Sequence, residues 1–146
     1  MGTPGAEVST GFASSAPGWL EGYRVLLADD HPDLRMALGR ALRLQGASIT
    51  YARDGGEALT LVKNGEFDVV VMDVLMPVMN GLQATRAMRA DGCQVPVIAI
   101  SADGAPEMRA LMLDAGCDAQ MTKPFDPDEL LRRAREVLGL GGGAAA

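Results

Sequence analysis

The chain has 146 residues, of which 48% are hydrophobic and 22% charged, and its formal net charge at pH 7 is −6. Its length and apolar content suffice for one hydrophobic core, which excludes an intrinsically disordered protein. The excess of 19 acidic over 13 basic residues argues against nucleic-acid binding, which requires a basic face. No apolar run approaches the roughly 18 residues of a membrane span. Two cysteines and the lack of a secretory signal favour a cytoplasmic protein.

The two ends of the chain differ in composition from its centre. Residues 1–22 are rich in Gly, Ala, Ser, Thr and Pro, which predicts a flexible tail or linker with at most its last residues packed down. Residues 139–146 contain only Gly, Leu and Ala, which predicts a second flexible tail. The folded unit is therefore expected over residues 23–138, with no DNA-binding domain after it.

Between these tails, short apolar runs alternate with segments of helical spacing. The predicted strands are Val25–Ala28, Ser48–Ala52, Val69–Met72, Pro96–Ile100 and Ala119–Met121. The first predicted helix carries Leu34, Leu38 and Leu42 at helical spacing, and a capping box from Asp54 to Glu57 opens the second. The third predicted helix runs from Gly81 to Ala90, and Met108, Leu111, Met112 and Ala115 mark the fourth. The last follows Asp126 and Pro127 and carries Leu130 to Leu138. Five such βα units imply one parallel sheet with helices on both faces.

Polar residues follow four of the predicted strands. They are Asp29 and Asp30 after the first, Asp73 after the third, Ser101 after the fourth, and Thr122-Lys123-Pro124 after the fifth. Because parallel strands end at one edge, where open α/β sheets bind ligands, we expect these side chains to converge. Three clustered carboxylates repel each other, and a Mg²⁺ ion would relieve that repulsion.

A site of this composition suits phosphoryl transfer, which depends mainly on positioning and on neutralising charge. Lys123 supplies a positive charge and Ser101 a hydroxyl group. Asp73 ends the most apolar strand and is the natural nucleophile, because an aspartate can form an acyl phosphate.

Four stretches resemble motifs of the response regulator receiver domains of two-component signalling: Val25–Pro32, Val71–Arg86, Ile98–Ala102 and Thr122–Phe125. The resemblance covers Tyr23 to Leu138. It implies a flavodoxin-like, doubly wound α/β fold, with five strands in the order 2-1-3-4-5 flanked by five helices. It also implies a phosphorelay protein that is not an enzyme in its own right, although it assists its own phosphorylation and dephosphorylation.

The resemblance also assigns a role to each site residue. It implies that Asp73 accepts a phosphoryl group from a phosphohistidine on a histidine kinase or histidine phosphotransfer domain. The face of the fourth helix, fifth strand and fifth helix would then bind a downstream protein. The remaining assignments are Asp29, Asp30, Asp73 and the backbone carbonyl of Leu75 as Mg²⁺ ligands, Ser101, Ala102 and Lys123 as phosphoryl-contacting or switch residues, and a cis peptide bond between Lys123 and Pro124.

One position departs from the resemblance. Most receivers carry Tyr or Phe three residues before the lysine, where this chain has Gln120. We therefore predict that the response to phosphorylation is carried by Ser101, Ala102 and the following loop rather than by residue 120. His31, Cys93 and Cys117 are interpreted as a variable loop residue and two inert thiols.

Three functions other than that of a phosphorylated receiver are disfavoured by the sequence. A haloacid-dehalogenase-type phosphatase needs a second acid two residues after its nucleophile, where this chain has Leu75. A flavodoxin-like carrier needs a Ser/Thr/Gly-rich phosphate loop and aromatic residues, but aromatic residues are only 4% of this chain. A receiver fold without phosphorylation is disfavoured because the matching site residues are all present. Met72 to Ala90 most resembles receivers of hybrid histidine kinases, although a stand-alone regulator also fits.

Overall fold

The computed structural model describes residues 18–140. Its strands are β1 (Arg24–Ala28), β2 (Ser48–Ala52), β3 (Val69–Asp73), β4 (Val97–Ser101) and β5 (Ala119–Thr122). Its helices are α1 (Pro32–Leu44), α2 (Gly55–Asn64), α3 (Gly81–Ala90), α4 (Pro106–Ala115) and α5 (Pro127–Val137). The strands pair in parallel in the order β2-β1-β3-β4-β5. The predicted doubly wound α/β fold is confirmed.

The helices cover both faces of the sheet. Alternate residues of a strand point to opposite faces, and β1 shows this clearly. Leu26 packs in a cluster with residues of α2, α3 and α4, whereas Leu27 packs in a second cluster with residues of α1 and α5. All five residues of β3 and of β4 are buried, as expected for central parallel strands that are covered on both sides.

Strand register brings the polar residues to one level. Ala28 pairs with Met72, so that Asp29 and Asp73 are the next residues of neighbouring strands. Ser101 pairs with Thr122 at the ends of β4 and β5. The candidate site therefore lies across the carboxyl edge of β1, β3, β4 and β5.

The N-caps of two helices differ in detail. The Asp54 carboxylate accepts the Glu57 N–H, but the Glu57 carboxylate accepts the Arg53 N–H at 2.7 Å. Because the Glu57 side chain reaches one residue too far back, the predicted capping box is only half formed. The start of α3 carries the complete box, in which Asn80 and Gln83 each accept the other's backbone N–H.

Helix α4 buries a narrower stripe than its apolar content suggests. Met112 and Ala115 are buried, but Leu111, which also marks the predicted helix, is 45% exposed. Consecutive helical residues point about 100° apart, and a stripe centred on Met112 and Ala115 leaves Leu111 at its border. Helix α4 consequently presents Leu111 and Leu113 to solvent.

Residues just before Tyr23 already pack against the domain. Leu20 is fully buried, its backbone N–H donates to the Gln45 carbonyl at 2.8 Å, and Trp19 lies under the Arg135 guanidinium. The rest of the two predicted flexible tails, residues 1–17 and 141–146, lies outside the described residues. Within residues 18–140, no helix combines the length and the apolar character needed to cross a membrane.

Candidate functional site

Four side chains meet at the carboxyl edge of the sheet. One possible ligand atom from each of Asp29, Asp30, His31 and Asp73 lies within 4.8 Å of those of the other three. Asp29 and Asp73 are buried, whereas 34% of the Asp30 side chain and 62% of the His31 side chain are exposed. The cluster is therefore open to solvent on the side of Asp30 and His31.

Asp73 is held through both carboxylate oxygens. Its Oδ2 accepts from Lys123 Nζ at 2.9 Å, and its Oδ1 accepts from the Leu75 backbone N–H at 3.1 Å. Burial raises the pKa of Asp73; the Lys123 hydrogen bond opposes that effect and the Asp29 charge adds to it. The carboxylate is thus oriented, but its charged form remains electrostatically unfavourable.

Asp29 and Asp30 each keep one carboxylate oxygen without a hydrogen bond among residues 18–140, and His31 Nδ1 lies 3.2 Å from the Asp30 oxygen. Asp29 Oδ1 accepts the His31 backbone N–H at 2.7 Å. Asp29 Oδ2 and Asp30 Oδ1 are buried without a hydrogen bond to any described residue. Leaving buried anionic oxygens unpaired is costly, and a hard divalent cation is the partner that oxygen ligands of this kind accept. The donor set therefore fits Mg²⁺.

Leu75 and Lys123 complete this part of the site. The Leu75 side chain is 78% exposed, so only the backbone of this residue faces the carboxylates. The Lys123–Pro124 peptide bond is cis, and the Lys123 backbone N–H donates to the Ser101 carbonyl at 2.8 Å. This hydrogen bond joins the backbone of Lys123 to the end of β4.

Ser101 is buried and ends β4 facing the β4–α4 loop. Its Oγ accepts the Asp103 backbone N–H at 2.9 Å, which leaves the hydroxyl hydrogen available to another group. The Asp103 carboxylate in turn accepts the Ala105 N–H at 2.9 Å. Ala102 is exposed between them. The hydroxyl group thus organises the loop that leads into α4.

Comparison with known proteins identifies this arrangement. The family model described as "Response regulator receiver domain" matches residues 25–135. The chain belongs to the response regulator receiver family. This membership, rather than a phosphatase or flavodoxin family, places the protein among the receivers of two-component signalling, which interact with kinases and downstream partners and are typically phosphorylated and Mg²⁺-binding.

Relatives and solved structures agree with this family. The response regulator MprA of Mycobacterium sp. strain KMS is 41% identical over 115 residues, which are 79% of this chain and 50% of MprA. The chain thus spans about half the length of the curated relatives it matches. The receiver domain of a Francisella response regulator is 33% identical with a TM-score of 0.78, over 81% of this chain and 98% of that one. The receiver domain of a Pseudomonas aeruginosa sensor histidine kinase, whose structure holds a magnesium ion coordinated in the active site cleft, is 33% identical with a TM-score of 0.75 over the same shares.

In this receiver, Gln120 links β5 to α4. Its Nε2 donates to the backbone carbonyl of Arg109 at 3.0 Å, and Gln120 lies beside Ala99 of β4 in the sheet register. The half-buried amide therefore has the polar partner that it requires. The position expected to be aromatic instead carries a hydrogen bond between two elements of the expected output face.

The sequence interpretation missed two side chains of the receiver site. His31 was interpreted as a variable loop residue, yet its Nδ1 lies 3.2 Å from both Asp29 Oδ1 and Asp30 Oδ1. Arg35, one helical turn later, donates to the Asp29 carbonyl at 3.0 Å. The sequence carries no signal for the His31 contact, because His31 is the N-cap residue of α1 with extended backbone angles and the helical spacing of four residues does not extend to it.

The β3–α3 loop of the receiver contains a strained turn. Val78 has a φ of 69° and is 90% exposed, and the Met79 N–H donates to the Pro77 carbonyl at 2.7 Å. This is a γ-turn, which is unfavourable for a β-branched residue. The Met79 carbonyl accepts the Gly55 N–H at 2.8 Å, and a Cβ atom at Gly55 would collide with that oxygen. The loop after Asp73 is therefore anchored to the start of α2.

Proposed function

We propose that this receiver accepts a phosphoryl group on Asp73 from the phosphohistidine of a histidine kinase or histidine phosphotransfer domain. The observation that carries the proposal is the buried Asp73 carboxylate, paired with Lys123 at 2.9 Å and next to two buried carboxylate oxygens that have no hydrogen bond within the described part of the chain. Asp29, Asp30, Asp73 and the Leu75 carbonyl would hold Mg²⁺. The magnesium ion reported for the similar Pseudomonas receiver supports this assignment.

In the proposed transfer, a carboxylate oxygen of Asp73 forms the new P–O bond while the P–N bond of the phosphohistidine breaks. The electron pair of that bond leaves with the partner's imidazole, which then takes a proton. Bound Mg²⁺ would neutralise charge on the phosphoryl oxygens. Lys123 would move its hydrogen bond from Asp73 to a phosphoryl oxygen, because in the acyl phosphate the negative charge lies on the phosphoryl oxygens rather than on the carboxyl oxygens of Asp73.

The proposed switch begins at Ser101. To donate its hydroxyl to the phosphoryl group, the side chain would rotate and give up the Asp103 N–H that it now accepts. The change would propagate through Ala102 into α4. The output surface would be the face of α4, β5 and α5. Leu111 and Leu113 of α4 are both exposed, but they point about 160° apart around the helix, so only one of them can belong to that face.

Phosphorylation with acetyl phosphate or a labelled kinase, with and without Mg²⁺, tests this function. The wild-type chain should take up label only with Mg²⁺, and Asp73→Asn should take up none. Asp114→Asn is the matched control, because Asp114 is an exposed carboxylate on α4, and it should label normally. Labelling of Asp73→Asn, or no labelling of the wild type with either donor, would refute the proposal and favour a receiver fold that acts without phosphorylation.

The protein context remains a second part of the proposal. Both a response regulator and the receiver of a sensor histidine kinase are similar to this chain. The proposed hybrid-kinase context therefore depends on the sequence from Met72 to Ala90. The experiment is to purify the full-length protein and determine which regions it contains. A kinase region in the same polypeptide would support the hybrid-kinase context. A polypeptide with only a receiver and an output region would overturn it.

A further inference from the structure

We infer that the imidazole of His31 is a nitrogen ligand of the cation site, so that this receiver binds first-row transition cations such as Zn²⁺ and Co²⁺ through a side chain that contributes little to Mg²⁺ binding. The inference rests on the proposed function, since the same three carboxylates form the rest of the site. It adds a fourth side chain and a second class of cation to that site.

The position of His31 is fixed by the start of α1. It is the N-cap residue of that helix, with extended backbone angles, and its backbone N–H donates to Asp29 Oδ1 at 2.7 Å. Its Nδ1 lies 3.2 Å from one oxygen of Asp29, 3.2 Å from one of Asp30 and 3.9 Å from Oδ2 of Asp73. One ring nitrogen therefore faces all three carboxylates.

These distances suit a common metal centre. First-row cations hold nitrogen and oxygen ligands at about 2.0–2.2 Å, so the ligands of a tetrahedral centre lie about 3.3–3.6 Å from one another. The distances from His31 Nδ1 are close to this range. The four candidate ligand atoms all lie within 4.8 Å of one another, so a cation would draw the most distant pair up to about 1 Å closer. The fully buried Asp29 also has an oxygen without a donor among the described residues, which independently indicates a missing ligand.

The chemistry of the imidazole gives the site its expected selectivity. Mg²⁺ prefers oxygen ligands and keeps several waters, whereas Zn²⁺ and Co²⁺ bind imidazole nitrogen well. The His31 side chain is 62% exposed, so solvent can hydrogen-bond an N–H at Nε2 while the Nδ1 lone pair faces the cation. Loss of the imidazole should therefore weaken Zn²⁺ and Co²⁺ binding far more than Mg²⁺ binding.

A different role for His31 makes an opposite prediction. If the ring only donates a hydrogen bond to the carboxylates, every divalent cation must displace it. Replacing the ring would then change the affinities for Zn²⁺ and Mg²⁺ in the same direction and by similar factors. The ratio of the two affinities, rather than either affinity alone, distinguishes a ligand from a competing donor.

Calorimetric titration of the full chain with Zn²⁺, Co²⁺ and Mg²⁺ measures that ratio. His31→Gln should lower the affinity for Zn²⁺ and Co²⁺ at least about tenfold and change the Mg²⁺ affinity less than about threefold. Asp33→Asn, an exposed acid in the first turn of α1, is the control for general electrostatics and should affect all three cations alike. Unchanged Zn²⁺ affinity in His31→Gln, or an equal change for Mg²⁺, would overturn the inference.

A second measurement follows the imidazole directly. His31 is the only histidine of the chain, so a sample labelled with ¹⁵N-histidine gives one imidazole spectrum. One equivalent of Zn²⁺ should shift the Nδ1 resonance strongly, and excess Mg²⁺ should reverse that shift by competition. A Zn²⁺ response at Nε2, or none at either nitrogen, would contradict the assignment.

The inference and the proposed function fail in different ways. Mg²⁺-dependent labelling of Asp73 without a His31-dependent Zn²⁺ affinity would remove the nitrogen ligand and leave the phosphoacceptor role intact. A His31-dependent Zn²⁺ site in a chain that takes up no phosphoryl group would keep the nitrogen ligand and remove the phosphoacceptor role. Labelling and titration of the same wild-type preparation separate these two results.

Discussion

The two edges of the central sheet differ in how their charged side chains are paired. At the amino edge, the Arg89 guanidinium donates to the carbonyls of Cys93 and Gly116 and to the Asp118 carboxylate at 2.8–3.1 Å. Asp118 also accepts the Val97 N–H at 2.8 Å. At the carboxyl edge, Asp29 and Asp30 each keep a buried oxygen without a donor in the described chain.

This difference separates an edge that stabilises the fold from the edge that carries the proposed binding site. Charges at the amino edge are already satisfied, so that edge has no requirement for a ligand. Cys93 and Cys117 lie there as free thiols, and burial raises the pKa of Cys117, which keeps it protonated at neutral pH. The carboxyl edge holds a cluster of carboxylates whose mutual repulsion a bound cation would relieve.

The largest effect on stability is expected from Arg89→Met. Its side chain is only 23% exposed, and its loss leaves the Cys93 and Gly116 carbonyls without this donor and Asp118 with the Val97 N–H alone. The lost hydrogen bonds cost about 2–3 kcal/mol of unfolding free energy in total. Urea denaturation measures this loss.

Arg86→Met is the matched control on the same helix. The Arg86–Asp114 pair is more exposed and 3.6 Å apart, so its loss should cost no more than about 0.5 kcal/mol. Equal destabilisation by the two substitutions would show that the amino edge does not have the stabilising role assigned to it. Phosphorylation of Asp73 should persist in both variants.

The second prediction is that replacing an aspartate by asparagine changes the unfolding free energy in opposite directions at the two edges of the sheet. Without Mg²⁺, Asp73→Asn should raise the unfolding free energy by on the order of 1 kcal/mol, because it removes a buried charge from a repulsive cluster. Asp118→Asn should lower it, because Asp118 pairs with Arg89 and Val97. Thermal or urea unfolding with and without Mg²⁺ measures both, and Mg²⁺ should stabilise the wild type more than Asp73→Asn.

The pH dependence of this difference has a defined sign. Burial raises the pKa of Asp73 in the folded state, so the folded protein binds that proton more tightly than the unfolded chain. Asp73→Asn should therefore be more stable than the wild type at pH values above the raised pKa of Asp73, and this difference in unfolding free energy should shrink as the pH falls through that pKa. An advantage that grows towards acidic pH would contradict a raised pKa.

The sequence predicted the cluster at the carboxyl edge but not the Arg89–Asp118 network at the amino edge, and the parts that it did not predict have physical reasons. Asp73 and Ser101 directly follow apolar runs, and parallel strands bring such residues to one edge whatever the loops do. The direction of the His31 side chain was not predictable, because it depends on the N-cap backbone angles of α1. Spacing also could not reveal the positive φ of Val78 or the border position of Leu111.

The third prediction concerns the hydroxyl group of Ser101. Ser101→Ala removes the acceptor of the Asp103 N–H and should cost about 0.5–1.5 kcal/mol of unfolding free energy. Asp73 should still take up label, because its own contacts remain. Backbone amide NMR should show a much smaller response of the β4–α4 loop to phosphorylation than in the wild type.

Ser48→Ala provides the comparison for this loop, since Ser48 is exposed at the start of β2. It should change neither stability nor the loop response. A full loop response in Ser101→Ala would refute the role of this hydroxyl group in the switch, even if Asp73 is the phosphoacceptor.

The smallest effect is expected from Gln120→Ala. The substitution removes one hydrogen bond to the Arg109 carbonyl, for a loss of about 0.5–1 kcal/mol. Gln94→Ala, in an exposed loop, should be neutral. Amide exchange should speed up in α4 without the Gln120 contact, because that helix buries only a narrow stripe. The NMR shift around Ser101 on phosphorylation should persist, since the Ser101 hydroxyl contacts the loop without passing through residue 120; its disappearance in Gln120→Ala would instead place Gln120 within the switch.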